Sequence, residues 1–197
     1  MQRAEREIQA KLVKLRDLVS KSSFRSSDTP VFPLASGEKS KYYIDCKMAI
    51  SDPEALRLMA DLILDKMGNV EVDAIGGLEL GAYPIATAVS AVAYEKHGKT
   101  IRAFVVRKNA KKHGLGKVLE GDVRKGDRVL IVDDVITSGK STIEAIIKSR
   151  ESGLEVVGAI GLVDRQEQSG KKRIEKEGQV RFDSVLTLED LKPAGAN

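Results

Sequence analysis

From Arg128 to Thr142 the chain runs through an apolar stretch, Val129-Leu130-Ile131-Val132, two adjacent carboxylates, Asp133 and Asp134, and then Val135-Ile136-Thr137-Ser138-Gly139-Lys140-Ser141-Thr142, with no spacer between them. Few folds accept that order. A short β-branched apolar run predicts a strand buried on both faces, and the hydroxyl- and glycine-rich turn after it hands over to a helix. The first backbone N–H groups of that helix have no partner within it. Together with the helix dipole they attract an anion, for which a phosphate is the natural choice.

Gly139-Lys140-Ser141 also matches the end of a nucleotide-triphosphate loop, Gly-x-x-x-x-Gly-Lys-Ser/Thr. The first glycine of that pattern falls at position 134, which is Asp. A carboxylate where the backbone must wrap a polyphosphate excludes this reading. The paired acids point instead to a ligand with vicinal hydroxyls, or to a bound metal, beside a monophosphate. A ribose 5-phosphate has that shape.

At 197 residues, with 42% hydrophobic and 31% charged side chains, residues 1–197 suit a single domain with a substantial core. No window approaches the roughly 18 uninterrupted apolar residues that span a membrane. The charged segment Met1 to Lys21 lacks the apolar centre of a secretory signal, so a cytoplasmic protein without membrane association is expected. Cys46 is the only cysteine, which excludes an intrachain disulfide and a cysteine-based metal cluster; it reads as a small half-buried apolar residue. A net charge of +4, 4% aromatic residues and no Trp do not call for nucleic acid.

In chain order, Ile8, Leu12, Leu15 and Val19 predict an amphipathic helix from Arg3 to Val19, and Ser20 to Pro33 reads as a loop or arm. Phe32 to Asp45 predicts a hairpin, with Ser36-Gly37 in its turn and Tyr42 and Tyr43 in its returning strand. Asp52-Pro53-Glu54 starts a helix, an acid at the N-cap and Pro at the first position, which ends near Gly68. Val72 to Gly77 is a strand running into a glycine turn, Gly77 to Ala82, with an apolar helix from Ala82 to His97: half of a βαβ unit. A strand from Ile101 to Val106 leads into Arg107-Lys108-Asn109-Ala110-Lys111-Lys112-His113-Gly114-Leu115-Gly116-Lys117, an exposed basic loop with little to bury. Ser141 to Ser152 is a helix and Glu155 to Val163 a strand. That strand delivers Arg165 to its C-terminal end, where open parallel sheets bind ligands. A helix from Gly170 to Gly178, a strand from Arg181 to Leu186 and a tail from Lys192 complete the chain. Alternating strands and helices make an α/β fold with a mainly parallel sheet.

Val-Leu-Ile-Val-Asp-Asp-Val-Ile-Thr-Ser-Gly resembles the phosphoribosyl diphosphate (PRPP) loop of the type I phosphoribosyltransferases. Three further segments are similar to those of the orotate phosphoribosyltransferases: Leu-Ala-Ser-Gly-x-x-Ser-x-Tyr-Tyr-Ile-Asp, Arg-Lys-x-x-Lys-x-His-Gly and Val-Asp-Arg-Gln-Glu. The resemblance implies the type I phosphoribosyltransferase fold, with a central mainly parallel sheet flanked by helices. Its core covers about 52–187 and its small N-terminal hood about 20–50, with parts of the C-terminus. It implies transfer of ribose 5-phosphate from PRPP to orotate, giving orotidine 5′-monophosphate and diphosphate, with Mg2+ as cofactor.

By the same resemblance Asp133 and Asp134 hold the ribose hydroxyls, directly or through metal, and serve the metal itself, indirectly through PRPP and water; Thr137, Ser138, Gly139, Lys140 and Ser141 cradle the 5-phosphate, and Val135 and Ile136 belong to the same PRPP-binding set. Arg107, Lys108, Lys111 and His113 close over the diphosphate, with Lys111 and His113 counted as catalytic beside the two acids. Arg165 grips the orotate carboxylate, and Thr137, Tyr42 and Tyr43 face the base. The loop 107–117 reaches a partner subunit, so a homodimer is implied. Two departures stand out: relatives carry lysines where this chain has Ala35 and Gly81, with Lys39 or Lys41 the candidates to replace the first and Glu79 of opposite sign near the second. A phosphoribosyltransferase for another base, a PRPP-sensing regulator, or half of a fused pyrimidine enzyme are the alternatives. The first should lack the three orotate segments together and the second needs a nucleic-acid surface; the chain's end soon after its last strand leaves no room for the third.

Overall fold

The computed structural model describes residues 2–33, 37–109 and 118–192. Helix α1, Gln2–Ser23, runs one turn beyond the predicted end. Its last residues are held by side-chain hydroxyls: Ser22 Oγ donates to Leu18 O at 2.8 Å, and Ser23 Oγ accepts from Ala49 N–H at 3.1 Å. The expected arm from Ser20 is therefore a final helical turn followed by strand β1, Phe24–Ser26.

Strands β2, Phe32–Pro33, and β3, Lys39–Ser40, form the expected hairpin. The tyrosines are not in its returning strand. They lie in β4, Tyr42–Ile44, which pairs antiparallel with β1 through Phe24↔Ile44 and Ser26↔Tyr42. Ser40 Oγ turns the chain between β3 and β4 by accepting from Tyr42 N–H at 3.1 Å, and the Phe24 and Tyr42 rings stack at 5.9 Å. Burying Phe24 and Ile44 together is the gain that selects this pairing.

After the short helix α2, Lys47–Ile50, helix α3 spans Pro53–Met67. Asp52 caps it by accepting from Ala55 N–H at 2.8 Å, as the acid-Pro start predicts. Then follow β5 Ala74–Leu78, α4 Glu79–His97, β6 Arg102–Val106, β7 Leu119–Gly121, β8 Arg128–Ile136, α5 Lys140–Glu151, β9 Glu155–Asp164, α6 Gly170–Glu177, β10 Phe182–Thr187 and α7 Leu188–Leu191. The main sheet has the order β10-β9-β8-β5-β6-β7 and is parallel except for β7, which runs antiparallel to β6. Neither β7 nor α7 is foreseen from the sequence, since each is four residues or fewer.

Strand alternation sorts the core into two layers. Leu130, Val132, Ile160 and Leu162 face the helices α1, α3 and α4, whereas Val129, Ile131, Phe104 and Ala159 face α5 and α6. Each buried Val, Leu, Ile or Phe side chain among these contributes about 1.5–3 kcal/mol. Cys46 is fully buried, not half-buried as expected, and burial pushes its thiol well above the ordinary value.

The expected glycine loop Gly77–Ala82 is also corrected. Gly77 and Leu78 finish β5, and Glu79 opens α4 at once. A Cβ at Gly77 would lie 2.1 Å from the Val132 carbonyl oxygen, so only glycine lets β5 lie this close to β8. The reversal is completed by Glu79 at φ +45°, in the left-handed region that side chains other than glycine adopt at a cost.

Candidate active site

From β5 the chain moves outward to β6 and then returns to β8 on the other side of β5. This reversal opens a crevice beyond the strand C-termini, where open parallel sheets bind ligands. Asp133 and Asp134 lie near the end of β8 at that crevice, and the turn Thr137-Ser138-Gly139 leads into α5.

Asp133 is buried, and Thr142 Oγ1 donates to its Oδ2 at 2.9 Å. Its Oδ1 accepts from Asp134 N–H at 3.1 Å. Loss of water, followed by the neighbouring Asp134 charge, raises its pKa from 3.8 to about 7. Asp134 is less buried and accepts from Val135 N–H at 2.9 Å. One carboxylate is thus fixed and protonatable near neutrality, while the other is partly exposed beside Gly81 at the start of α4.

A folded-state pKa raised above the ordinary value means that the native protein binds this proton more tightly than the unfolded chain. The associated stabilisation is complete below pH 3.8 and lost as pH rises through about 7. Asp133→Asn removes the titration but can still accept from Thr142. Thermal melts from pH 4 to pH 8 are therefore expected to show wild type losing Tm relative to Asp133→Asn as pH rises. Parallel curves would contradict the assigned shift.

At the turn, Gly139 has φ +72° and caps α5 without a side-chain hydrogen bond. A Cβ there would meet Ile174 Cγ1 at 2.7 Å, and one at Gly170 would meet Thr137 O at 2.4 Å, so α6 packs directly against the turn. Arg173 Nη1 donates to Ser138 O at 3.0 Å. With the Ser138 carbonyl engaged by Arg173, the turn offers the unpaired N–H groups of the α5 start and the Thr137, Ser138 and Ser141 hydroxyls as donors for an anion, without a triphosphate loop. Lys140 and Ser141 are exposed and Val135, Thr137 and Ser138 are partly exposed, whereas the Ile136 side chain is buried in the core.

Arg165 follows β9 directly. Its N–H donates to Ile136 O at 2.9 Å, which sets it beside the turn, and the residue is only 5% exposed. Nε donates to Glu167 Oε2 at 2.9 Å and Nη2 donates to Tyr42 O at 3.0 Å. The hood is thereby brought to the crevice. Tyr42 is half-buried against Phe24, with the Lys192 ammonium 5.1 Å from its ring centre, and Tyr43 is exposed beside Phe32.

Arg107 and Lys108 leave β6 on the far side of β5. The Arg107 guanidinium lies 3.4 Å from Glu120, and Lys108 N–H donates to Glu79 Oε1 at 2.8 Å. Lys111, His113 and Ala35 lie outside the described residues, and Lys39 and Lys41 are exposed. A Cβ at Gly81 would lie 2.7 Å from Asp134 Cγ, so a lysine there would require the acid to move. Among the described residues no group of three or more His, Cys, Asp or Glu is placed to hold a metal ion. The donors present, Asp134 and the deprotonated form of Asp133, suit Mg2+, which keeps several waters and takes one or two carboxylates plus substrate oxygens.

Sequence reasoning missed four participants. Thr142 closes the stretch that begins at Arg128, and a hydroxyl in the first turn of the helix that follows the acids is the signal for it. Glu167 stands in the Val-Asp-Arg-Gln-Glu segment and Ser40 in the hood segment, without assigned roles. Lys148 carries no local signal.

Residues 49–185 match the family model described as phosphoribosyl transferase domain, so fold and crevice are those of a phosphoribosyltransferase. The chain is 43% identical to the orotate phosphoribosyltransferase of Aquifex aeolicus over 178 residues, 90% of this chain and 96% of the relative. It is 49% identical to that of Pyrococcus horikoshii over 166 residues, 83% and 86% of the two chains. The crystal structure of Mycobacterium tuberculosis H37Rv orotate phosphoribosyltransferase in complex with PRPP superposes with a TM-score of 0.74 at 33% identity, covering 93% of this chain and 92% of that one. The chain belongs to the orotate phosphoribosyltransferase family.

Proposed function

We propose that this chain catalyses PRPP plus orotate to orotidine 5′-monophosphate plus diphosphate, with the crevice at the ends of β5, β8 and β9 as its active site. The observation that carries this reading is the convergence of three elements: the acid pair, the anion cradle at the start of α5, and a buried arginine beside that cradle under the hood. An acid pair and a phosphate cradle alone suit any ribose 5-phosphate. The arginine adds a buried positive charge whose Nη1 end is open to a carboxylate, the group that distinguishes orotate from uracil or a purine.

The chemical difficulty is departure of a highly charged diphosphate while positive character develops on the ribose. Asp133 and Asp134 orient the ribose hydroxyls and favour a cationic ring. Thr137 to Ser141 fix the 5-phosphate, and Arg165 with Tyr42 and Tyr43 align orotate, so that positioning replaces a covalent nucleophile. Arg107, Lys108, Lys111 and His113 neutralise the leaving diphosphate, and closure of their loop excludes water. Asp134 and Asp133 would hold Mg2+, which would supply charge neutralisation for the diphosphate.

A homodimer is supported by the outer face of α4, where Leu80, Tyr83 and Tyr94 are 81%, 45% and 69% exposed on one stripe with Thr87 and Ala91. No helix among the described residues is long and apolar enough to cross a membrane. Small charged substrates fit a cytoplasmic setting.

Purified protein with PRPP, Mg2+ and orotate should consume orotate, followed by its ultraviolet absorbance, and leave uracil and hypoxanthine untouched. Turnover of uracil or hypoxanthine with none of orotate would overturn the reading.

A further inference from the structure

Glu167 sits between the hood and Arg165. Its Oε2 accepts from Arg165 Nε at 2.9 Å and lies 2.9 Å from Nη2, while its Oε1 accepts from Ser40 Oγ at 3.0 Å. Ser40 is buried at the end of β3 and also holds Tyr42 N–H at 3.1 Å. Tyr42 O in turn accepts from Arg165 Nη2 at 3.0 Å. The four groups form a closed ring of hydrogen bonds, Arg165 to Glu167 to Ser40 to Tyr42 and back to Arg165. It joins residues 123 and 127 positions apart in the chain.

The ring has a consequence for the guanidinium. An arginine offers five N–H donors in a rigid fork. The Nε–Nη2 edge is taken by Glu167 and the other Nη2 hydrogen by Tyr42 O, so among the described residues the two Nη1 hydrogens have no partner and remain for a ligand. A buried guanidinium with a single free end has one direction in which to bind. Glu167 also keeps this charge compensated when no anion is bound, which a buried cation requires.

We infer that Glu167 is a positioning residue for orotate: through its two oxygens it aims the free end of Arg165 at the substrate carboxylate and makes that aim depend on the hood being seated. The inference rests on the reading of Arg165 as the carboxylate-binding residue. Ser40 is the hood's half of the same device. Glu167 does not touch substrate; it acts through Arg165.

Three variants with steady-state kinetics for both substrates test this. Glu167→Ala should raise the orotate KM about 10-fold, the scale of one lost charge-assisted hydrogen bond, with the PRPP KM within about twofold of wild type. Glu167→Gln can turn its amide oxygen to Arg165 and its NH2 group to the Ser40 hydroxyl oxygen, and should recover much of the loss. Arg165→Met should raise the orotate KM at least as much as Glu167→Ala, and adding Glu167→Ala to it should cost nothing more, because the two act as one unit. A Glu167→Ala protein whose orotate and PRPP KM rise together, or whose kcat alone falls, would reduce Glu167 to a structural tie and overturn the inference. If Arg165→Met leaves the orotate KM unchanged, the reading of Arg165 itself fails. If Arg165→Met raises it and Glu167→Ala does not, only the inference fails.

Discussion

Replacing Asp133 and Asp134 together by Asn should lower kcat/KM by about 10³-fold or more, since each carboxylate acts on charge that develops only as diphosphate leaves and removal of one such group costs about 10²–10³-fold. The fold should survive. The amide oxygen that Asp133→Asn introduces still accepts from Thr142, whose hydroxyl donates to Asp133 at 2.9 Å, and the substitution removes a buried charge and its repulsion with Asp134. The double variant should therefore melt no lower than wild type at pH 8, which separates lost chemistry from lost structure. It also serves to test the shared site. Lys111→Ala should be inactive on its own, and subunit exchange between it and the double variant should restore part of the activity, because one intact site forms from the sound halves. Near wild-type kcat/KM in the double variant would remove the acids from the mechanism, and no recovery in exchanged dimers would remove the shared loop.

The stretch from Val129 to Thr142 was legible because its meaning is local. A strand, an acid pair, a turn and a helix follow one another, and the backbone rules for each act over a few residues. Arg165 was legible for a related reason, since the end of an apolar strand is readable and parallel sheets place such ends at the site. The hood was not. Tyr42 and Tyr43 pair with β1, a partner chosen by the burial of Phe24 and Ile44 and by the Ser40 turn, and none of these is visible in the spacing of Phe32 to Asp45. Glycines usually mark a loop, and Gly77 to Ala82 reads as one. Here Gly77 instead admits the Val132 backbone and the turn falls on Glu79, a residue type that gives no warning of a left-handed conformation. Glu167 and Ser40 stood inside recognised segments, but their roles exist only once the hood meets β9.

Lys148→Met should lower kcat about 10²-fold, the scale expected when a catalytic loop is displaced by about 1 Å. The reason lies at the root of the basic loop. Lys148, on α5 and largely buried, commits all three ammonium hydrogens: to Arg107 O at 2.9 Å, Lys108 O at 2.7 Å and Glu144 Oε1 at 2.6 Å. From the other side Glu79 accepts from Lys108 N–H at 2.8 Å, and Arg107 N–H donates to Val118 O at 2.9 Å, closing the base of the loop. Both carbonyls and both N–H groups of two cationic residues are thereby pinned. Arg107 and Lys108 are the described members of the set proposed to meet the leaving diphosphate, and this fixed root holds their backbone in place for that task. Methionine keeps the stem's packing, and the freed Lys108 carbonyl belongs to an exposed residue that water can reach, so Tm should change by only a few degrees. Lys148→Arg, which still reaches both carbonyls, should recover a large part of kcat. The orotate KM should stay near wild type, since Arg165 and the hood lie on the other side of β8. A Lys148→Met protein with kcat within about twofold of wild type would show that the loop finds its place without this anchor. A large fall in Tm with unchanged kcat would assign Lys148 to stability alone.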